Sequence, residues 1–224
     1  MNKKRLIILN GSPRKKGTSF SFGRTIKQLA EDGGNTAEII HIIDYFDGKE
    51  DFHSLKSILA ESHIVGLVAP LYVDTLPYPT IWFFEKLHSE FKKELVGKTF
   101  FAICQCGFPE VKLLEPPLGS CRCFTEAMGM KWLGGLGYGG GAMLDGAPLE
   151  TLGSKGRKIT SGFKLALSDV LQGSEISSEA QDLLTFKIPK FLYRPLAAFL
   201  NYKAKSTAKK LYGVTDLERK VYLE

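Results

Sequence analysis

A loop rich in small and basic residues follows the first apolar stretch of the chain. It spans residues 11–19, reads Gly-Ser-Pro-Arg-Lys-Lys-Gly-Thr-Ser, and opens directly into a helical pattern. Small residues let backbone N–H groups converge, hydroxyl groups can donate hydrogen bonds, and the N-terminus of a helix favours an anion. The sequence therefore predicts that this loop binds a phosphate group.

The spacing of this loop matches neither the Walker A motif nor the dinucleotide-binding motif G-x-G-x-x-G. Five residues separate Gly11 from Gly17, whereas a Walker A loop has four, followed by Lys and Ser or Thr. A literal G-x-G-x-x-G occurs later, at Gly135, Gly137 and Gly140. No helical pattern follows it, so a pyrophosphate bound there would lack a helix N-terminus. We interpret those glycines as allowing a loop to pack closely.

The elements that would position these loops follow from the apolar periodicity. Nearly continuous apolar runs predict five strands, separated by helical patterns, at residues 5–9, 36–43, 64–69, 99–104 and 132–136. Strands of this kind indicate a parallel sheet covered by helices on both faces. We predict an α/β fold with a doubly wound five-stranded parallel sheet in residues 1–173, followed by a helical C-terminal extension in residues 174–224.

Two further loops follow strands of the predicted sheet, at the edge where ligands bind in folds of this class. The loop at residues 70–79 is apolar and aromatic, which suits a flat molecule. After the fourth strand, Gly107 would let the backbone approach the edge of a ring. A phosphate loop of neither common type, together with a surface for a flat ring, indicates flavin mononucleotide (FMN) as the ligand.

These segments resemble one family, the flavodoxin-like NAD(P)H-dependent FMN reductases, whose relatives include quinone, nitro and azo reductases and iron–sulfur flavoproteins. The resemblance rests on residues 11–19, 69–79, 107–110 and 132–141 and covers about residues 6–171. It implies that the phosphate is bound by Ser12, Arg14, Thr18, Ser19 and the amide of Phe20. It also implies that the isoalloxazine ring lies against Pro70, Leu71, Tyr72, Val73, Asp74, Gly107 and Phe108, in a homodimer whose partner subunit completes the site.

Hydride transfer from a nicotinamide to a flavin needs no acid–base pair from the protein, and no Ser/His/Asp order stands out in the sequence. We therefore expect an FMN-dependent oxidoreductase with a ping-pong reaction. NADPH or NADH would be the donor, and a quinone, nitroaromatic, azo compound or free flavin the acceptor. Tyr72, Phe108 and Tyr138 are predicted to line the substrate slot. The alternatives are a flavodoxin-like electron-transfer protein that does not itself oxidise nicotinamide and a membrane-associated scaffold with a vestigial flavin site.

The four cysteines form two C-x-C pairs, Cys104 with Cys106 and Cys121 with Cys123. Cys121 and Cys123 lie two apart on a predicted helix and would face different directions. The iron–sulfur relatives group their ligands in one compact stretch, which this sequence lacks. We therefore expect no metal site and interpret most of these cysteines as small apolar residues of the core.

The net charge of +6 on the 224 residues comes from one segment. Seven basic residues and no acidic ones lie between Phe186 and Gly213, and without them the chain has a net charge of −1. A nearly neutral domain argues against nucleic-acid binding. Within 186–213, apolar positions recur on one side of a helix from Leu196 onward, with lysines on the other. Such a basic amphipathic helix contacts a membrane surface, covers the domain, or covers a dimer interface.

The beginning of the sequence, Met-Asn-Lys-Lys-Arg, has the charge of a signal peptide but not its apolar region. Only four apolar residues follow, at 6–9, whereas a secretory segment needs roughly 7–15 and a spanning helix about 20. We therefore expect the protein to be cytoplasmic.

Overall fold

A computed structural model describes residues 3–185, 191 and 193–213 of the chain. Within these residues, five strands form one sheet: β1 (Arg5–Asn10), β2 (Thr36–His41), β3 (Ile64–Pro70), β4 (Thr99–Gln105) and β5 (Lys131–Tyr138). Every neighbouring pair is parallel, and the order across the sheet is β2-β1-β3-β4-β5. The predicted five-stranded parallel sheet is confirmed.

The strand order changes direction beside β1. The chain goes from β1 outward to β2 and then crosses back to β3, on the other side of β1. Asn10, the last residue of β1, is paired with His41 of β2 and with Val68 of β3. The carboxyl ends of these strands therefore lie together, and the loops that follow β1 and β3 diverge from the point where a ligand binds in such sheets.

Helices connect the strands and cover the sheet: α1 (Thr18–Asp32), α2 (Ile42–Phe46), α3 (Leu55–Glu61), α4 (Tyr78–Leu95), α5 (Glu115–Ala127), α6 (Gly153–Gln172) and α7 (Ser178–Leu184). A further helix, α8 (Tyr193–Tyr212), follows in the chain. Short 3-10 turns occur at Phe52–Ser54, Val111–Leu114, Gly141–Leu144 and Leu149–Thr151. The second strand was predicted to reach residue 43, but it ends at His41 because Ile42 begins α2. Asp44 lies in the first turn of α2, where an acidic side chain stabilises a helix N-terminus.

Alternate residues of β1 enter opposite halves of the core. Ile7 and Leu9 pack in the half that contains the buried residues of α3, α4 and α5, whereas Leu6 and Ile8 pack with those of α1 and α6. All four side chains are fully buried. Coverage of both faces explains why these strands read as unbroken apolar runs rather than as alternating ones.

The structure divides the chain after Phe186, whereas the sequence placed the boundary at residue 173. Residues 174–185 belong to the first unit because they cover the open edge of β5. The Gln181 side chain accepts from the Gly137 N–H (2.8 Å) and donates to the Gly137 carbonyl (2.9 Å), and the Ile176 N–H donates to the Leu133 carbonyl (2.7 Å). A side-chain amide that pairs with an edge strand in this way leaves no pattern in the apolar periodicity.

The second unit contains α8, so the predicted helical character of the extension is confirmed over Tyr193–Tyr212. Pro195 is the third residue of α8, within the first turn, where the missing N–H costs no helical hydrogen bond. No helix among the described residues is long and apolar enough to cross a membrane. Of the predicted basic segment 186–213, residues 186–190 and 192 lie outside the described residues, as do residues 214–224 of the predicted extension.

Candidate functional site

The N-terminus of α1 presents unpaired backbone donors at the end of β1. Gly17 precedes the helix, no side chain caps it, and no acidic residue lies in its first turn. The first hydrogen bond of the helix runs from the Ser21 N–H to the Gly17 carbonyl (3.1 Å). The N–H groups of Thr18, Ser19 and Phe20 therefore have no acceptor within the helix, and the helix dipole favours a negative charge beside them.

Two buried serine hydroxyls adjoin these donors. The Ser12 Oγ accepts a hydrogen bond from the Arg14 N–H (3.2 Å), and the Ser19 Oγ accepts one from the Gln105 Nε2 (3.4 Å). Both serines are at most 4% exposed. Because each hydroxyl acts as an acceptor in these contacts, its own proton remains to be donated. Hydroxyl and backbone donors beside a helix N-terminus are the donor set that a phosphate requires.

Thr18, predicted as a phosphate ligand, uses its hydroxyl differently. The Thr18 Oγ1 donates to the Gly141 carbonyl (2.9 Å) and accepts from the Gly146 N–H (3.3 Å). Its single proton is therefore committed to the loop that follows β5. The backbone N–H of Thr18 remains at the helix end, and contact of Thr18 with a phosphate stays a prediction for that group. The side chain instead joins α1 to the β5 loop.

One of the three basic residues of the loop forms an ion pair with a neighbouring helix. The Lys15 Nζ lies 2.5 Å from the Asp44 Oδ1, so α2 already compensates its charge. Arg14 and Lys16 are exposed. Of the residues that the resemblance assigns to a phosphate, Arg14 is thus the one that brings a positive charge to the cradle formed by the α1 N–H groups, Ser12 and Ser19.

One wall of the candidate site is formed by the loops that follow β4 and β5. The Gly141 N–H donates to the Cys106 carbonyl (2.7 Å), and the Gly140 N–H donates to the Phe108 carbonyl (2.7 Å). These bonds join the two loops just beyond the ends of both strands. The two loops therefore form one hydrogen-bonded unit.

The glycines of the β5 loop are needed for this close contact. A Cβ atom on Gly139 would lie 2.4 Å from the Pro109 carbonyl oxygen, and one on Gly141 would lie 1.9 Å from the Gln105 Oε1. A 3-10 turn, not an α-helix, follows at Gly141–Leu144. The literal G-x-G-x-x-G therefore does not precede an α-helix. Two of its glycines lie in β5, where a Cβ on Gly135 would lie 2.5 Å from the Leu118 Cδ2 and one on Gly137 would lie 2.7 Å from the Val111 Cγ1.

The other wall of the candidate site is the loop after β3, which forms a small hairpin. The Tyr72 N–H donates to the Thr75 carbonyl (2.9 Å), and the Thr75 N–H donates to the Tyr72 carbonyl (3.1 Å). Between them Val73 and Asp74 have φ angles of +47° and +61°. A β-branched residue at positive φ is strained, and strain of this kind collects at functional sites. Val73 is 96% exposed, so no packing against the described residues compensates for this strain.

Replacing Val73 by Asn should relieve this strain. Asn tolerates the left-handed region, so we expect Val73→Asn to raise the free energy of unfolding by about 1 kcal/mol, measured by urea denaturation. Val96→Asn is the matched control, because Val96 is also exposed but has a φ of −53°. An equal gain in both variants would show that Val73 carries no strain.

The predicted ring-binding residues lie on these two walls. Tyr72 and Phe108 are exposed, by 39% and 66%, on the β3 hairpin and the β4 loop. Gly107 is also exposed, and a Cβ there would only touch the Ala142 Cβ at 3.5 Å. Pro70 is the buried last residue of β3. The remaining predicted residues, half-buried or exposed on the hairpin, are Leu71, Val73 and Asp74.

Sequence reasoning missed three residues of this edge. The Asn10 Oδ1 accepts from the Ser12 N–H (3.2 Å), and its amide contacts the His41 Nδ1 (3.0 Å), so Asn10 orders the start of the phosphate loop. Gln105 contacts Ser19, as described above. A polar residue that ends an apolar strand was the available signal for both. Met143, 60% exposed on the β5 loop, gave no such signal.

Tyr138 does not line a slot, contrary to the prediction. It is 2% exposed and packs edge-on against Phe22, with ring centroids 5.3 Å apart. As the last residue of β5, it points into the half of the core that contains α1 and α6. Its hydroxyl has no hydrogen-bond partner among the described residues, and burial raises the pKa of Tyr138 to about 12.

Removing this hydroxyl should stabilise the protein. An unsatisfied buried hydroxyl costs about 1 kcal/mol or more, so we expect Tyr138→Phe to raise the free energy of unfolding by about 1 kcal/mol.

Burial favours the neutral phenol, so the stability due to the raised pKa is present below pH 10 and is lost as pH rises from 10 towards 12. Urea denaturation at pH 10 and at pH 12 should show a smaller decrease in the free energy of unfolding for Tyr138→Phe than for the wild type. A changed ligand preference with unchanged stability would return Tyr138 to the slot.

The cysteines lie as predicted from the helix geometry. Cys121 is buried in α5 and Cys123 is exposed. Cys104 and Cys106 are also buried, and desolvation raises the pKa of the Cys106 thiol. In the part of the chain that the structure describes, no group of three or more His, Cys, Asp and Glu side chains is placed to hold a metal ion.

Comparison with known proteins is informative at the level of structure. No protein-family model matches the sequence, and no curated protein matches it either. An NADH:FMN oxidoreductase in its apo form is similar with a TM-score of 0.58 at 12% identity, over 80% of this chain and 94% of the other. An FMN-dependent NADH-azoreductase from Bacillus anthracis, in complex with FMN, gives 0.54 at 14% identity, over 74% and 99%.

A third structure, RosB with bound 8-demethyl-8-formylriboflavin-5′-phosphate, gives a TM-score of 0.56 at 14% identity, over 98% of this chain and 92% of the other. These similarities agree with the strand order β2-β1-β3-β4-β5. The chain has the flavodoxin-like fold. In a flavodoxin-like sheet the crevice lies between the loops after β1 and β3, where Ser12, the N-terminus of α1 and the Tyr72–Thr75 hairpin are found.

Proposed function

We propose that this chain is an FMN-dependent NAD(P)H oxidoreductase. The observation that carries the proposal is the donor set after β1: the uncapped first turn of α1 with the buried hydroxyls of Ser12 and Ser19. This set has no acidic residue in the helix turn and lies at the point where the strand order reverses. Its chemistry fits the phosphate of FMN.

The residues around this donor set would hold the rest of the molecule. Ser12, Ser19 and the N–H groups of the first turn of α1 would bind the phosphate, with Arg14 contributing charge. The strained hairpin at Val73 and the exposed backbone at Gly107 would bound the ring on two sides. Bound there, FMN would accept a hydride from a nicotinamide and pass electrons to an acceptor.

A small planar acceptor suits the exposed side chains at this edge. Tyr72 and Phe108 offer aromatic surface, and flat aromatic molecules stack on such side chains. We therefore propose a quinone, nitroaromatic, azo compound or free flavin as the acceptor and NADPH or NADH as the donor. The similarity to structures of an azoreductase and an NADH:FMN oxidoreductase supports this class. A donor of this kind is consistent with a cytoplasmic protein.

We also propose that the protein is a homodimer. Four bulky side chains are exposed around the candidate site: Tyr72, Val73, Phe108 and Met143. A second copy that covers part of this apolar edge would shield the ring from water. Light scattering coupled to size-exclusion chromatography measures the mass in solution, and a monomer at micromolar concentration would contradict this part of the proposal.

The test is a visible absorption spectrum of the full chain, taken as purified and again after FMN addition and desalting. We expect a bound-flavin spectrum that bleaches when NADH or NADPH is added without oxygen and without another reductase. A bound flavin that stays oxidised with both nucleotides would instead support the electron-transfer protein. A chain that retains no flavin would overturn the assignment of the phosphate cradle.

A further inference from the structure

The helix α8 carries charge of one sign only. Its 20 residues contain five basic side chains and no acidic one: Arg194, Lys203, Lys205, Lys209 and Lys210. Basic side chains stabilise an isolated helix when Glu or Asp lies four residues away. The sequence of α8 contains no Glu or Asp, so no such pair forms within the helix. Five cations along about 30 Å of helix create a positive potential that favours an anionic partner.

An exposed apolar strip runs along the same helix. It consists of Tyr193, Ala197, Ala204 and Leu211, whose spacings of 4, 7 and 7 residues place them within about 40° of one another around the axis. All four are exposed, Leu211 by 63%. Phe199 and Tyr202 are also exposed but lie on the side of the helix away from this strip, so the strip itself consists of Tyr193, Leu211 and the two alanines.

The basic residues lie on both sides of this apolar strip. From the helix geometry, Lys203 and Lys210 lie on one side of it, and Arg194 and Lys205 lie on the other. In an interfacial helix, apolar residues enter the acyl boundary while flanking lysines extend to the lipid phosphates. Nucleic acid would match the charge but leave the apolar strip in water. A bilayer with anionic headgroups matches both.

We propose that α8 binds along the surface of a membrane that contains anionic phospholipids. The helix lies in the plane of the interface, since no helix among the described residues is apolar enough to span a bilayer. The partner is identified by its chemistry, a layer of negative headgroups above an apolar interior. The proposal is independent of flavin binding, because it uses only residues of α8.

The test is co-sedimentation of the full chain with vesicles of phosphatidylcholine alone and of phosphatidylcholine mixed with phosphatidylserine. We expect binding to the mixed vesicles and weak or no binding to the neutral ones. Replacing Lys203, Lys209 and Lys210 by Gln should weaken binding about a hundredfold, at about fivefold for each charge near the surface. The matched control replaces three exposed lysines of the first unit, Lys92, Lys93 and Lys112, and should bind as the wild type does.

A second variant separates insertion from adsorption. Leu211→Ser keeps every charge and should weaken binding to the mixed vesicles about tenfold, because burial of the leucine side chain is lost. Circular dichroism and thermal unfolding confirm that each variant is folded. Equal losses in the two triple variants would mean that only the net charge acts, and would overturn the proposal. Tighter binding to an RNA oligonucleotide, unaffected by Leu211→Ser, would also overturn it.

Discussion

A Gly139→Ala variant should unfold at a clearly lower urea concentration than the wild type, with a loss of roughly 3 kcal/mol in the free energy of unfolding. The added Cβ would lie 2.4 Å from the Pro109 carbonyl oxygen and 2.9 Å from that of Phe108. These neighbours are backbone atoms, so no side-chain rotation can relieve the overlap. The β4 loop must move, and FMN affinity should fall together with stability.

Two glycines serve as controls for this variant. Gly119 lies in α5 with open space around its Cβ position, so Gly119→Ala should raise the free energy of unfolding by about 0.5 kcal/mol. Gly107 lies on the same loop as Pro109 but meets only the Ala142 Cβ at 3.5 Å. Gly107→Ala should therefore keep its stability, and a loss of FMN affinity there would report a ring close to the backbone. A stable Gly139→Ala variant would contradict the interlocked loops.

Ser19→Ala should weaken FMN binding roughly tenfold to a hundredfold and leave riboflavin binding unchanged. A hydrogen bond to a charged group contributes about 1.5–3 kcal/mol, and riboflavin has the same ring system without the phosphate. Fluorescence titration of both flavins measures the ratio of their affinities. The ratio isolates the phosphate, because any general loosening of the site would affect both flavins.

Ser120→Ala is the matched control for Ser19→Ala. Ser120 also lies in a helix, and its hydroxyl donates to the Pro116 carbonyl (3.1 Å), but it is exposed on α5. Both flavins should bind this variant as they bind the wild type. If Ser19→Ala weakens riboflavin as much as FMN, then Ser19 acts through its contact with Gln105 rather than through the phosphate.

The sequence was sufficient for the sheet because each strand is buried on both faces. Ile7, Leu9, Leu6 and Ile8 are apolar without interruption, and only a covered parallel sheet requires this of a strand. Contacts made by single polar side chains could not be predicted in this way. Gln181 pairs with the edge of β5 and moves the domain boundary, but one glutamine in a polar segment carries no periodic signal.

The strand–loop–helix order of the sequence predicts where the residues of the candidate site lie in the fold. Ser12 follows β1 and Ser19 lies in the first turn of α1, as that order requires, and their contact with a phosphate stays a prediction. Thr18 and Tyr138 lie at the same edge but have other roles, since one bonds to Gly141 and the other packs against Phe22. Which way a side chain turns at the end of a strand depends on neighbours distant in sequence.

The two walls of the site differ in how they are held. The hydrogen bonds from Gly140 and Gly141 hold the β4 and β5 loops to each other at the end of the central sheet, so these two amides should exchange slowly with solvent. The hairpin closed by Tyr72 and Thr75 has two hydrogen bonds of its own and should exchange much faster. A ligand would then enter and leave past the hairpin, and opening of the hairpin would set the rate at which the ligand binds and dissociates.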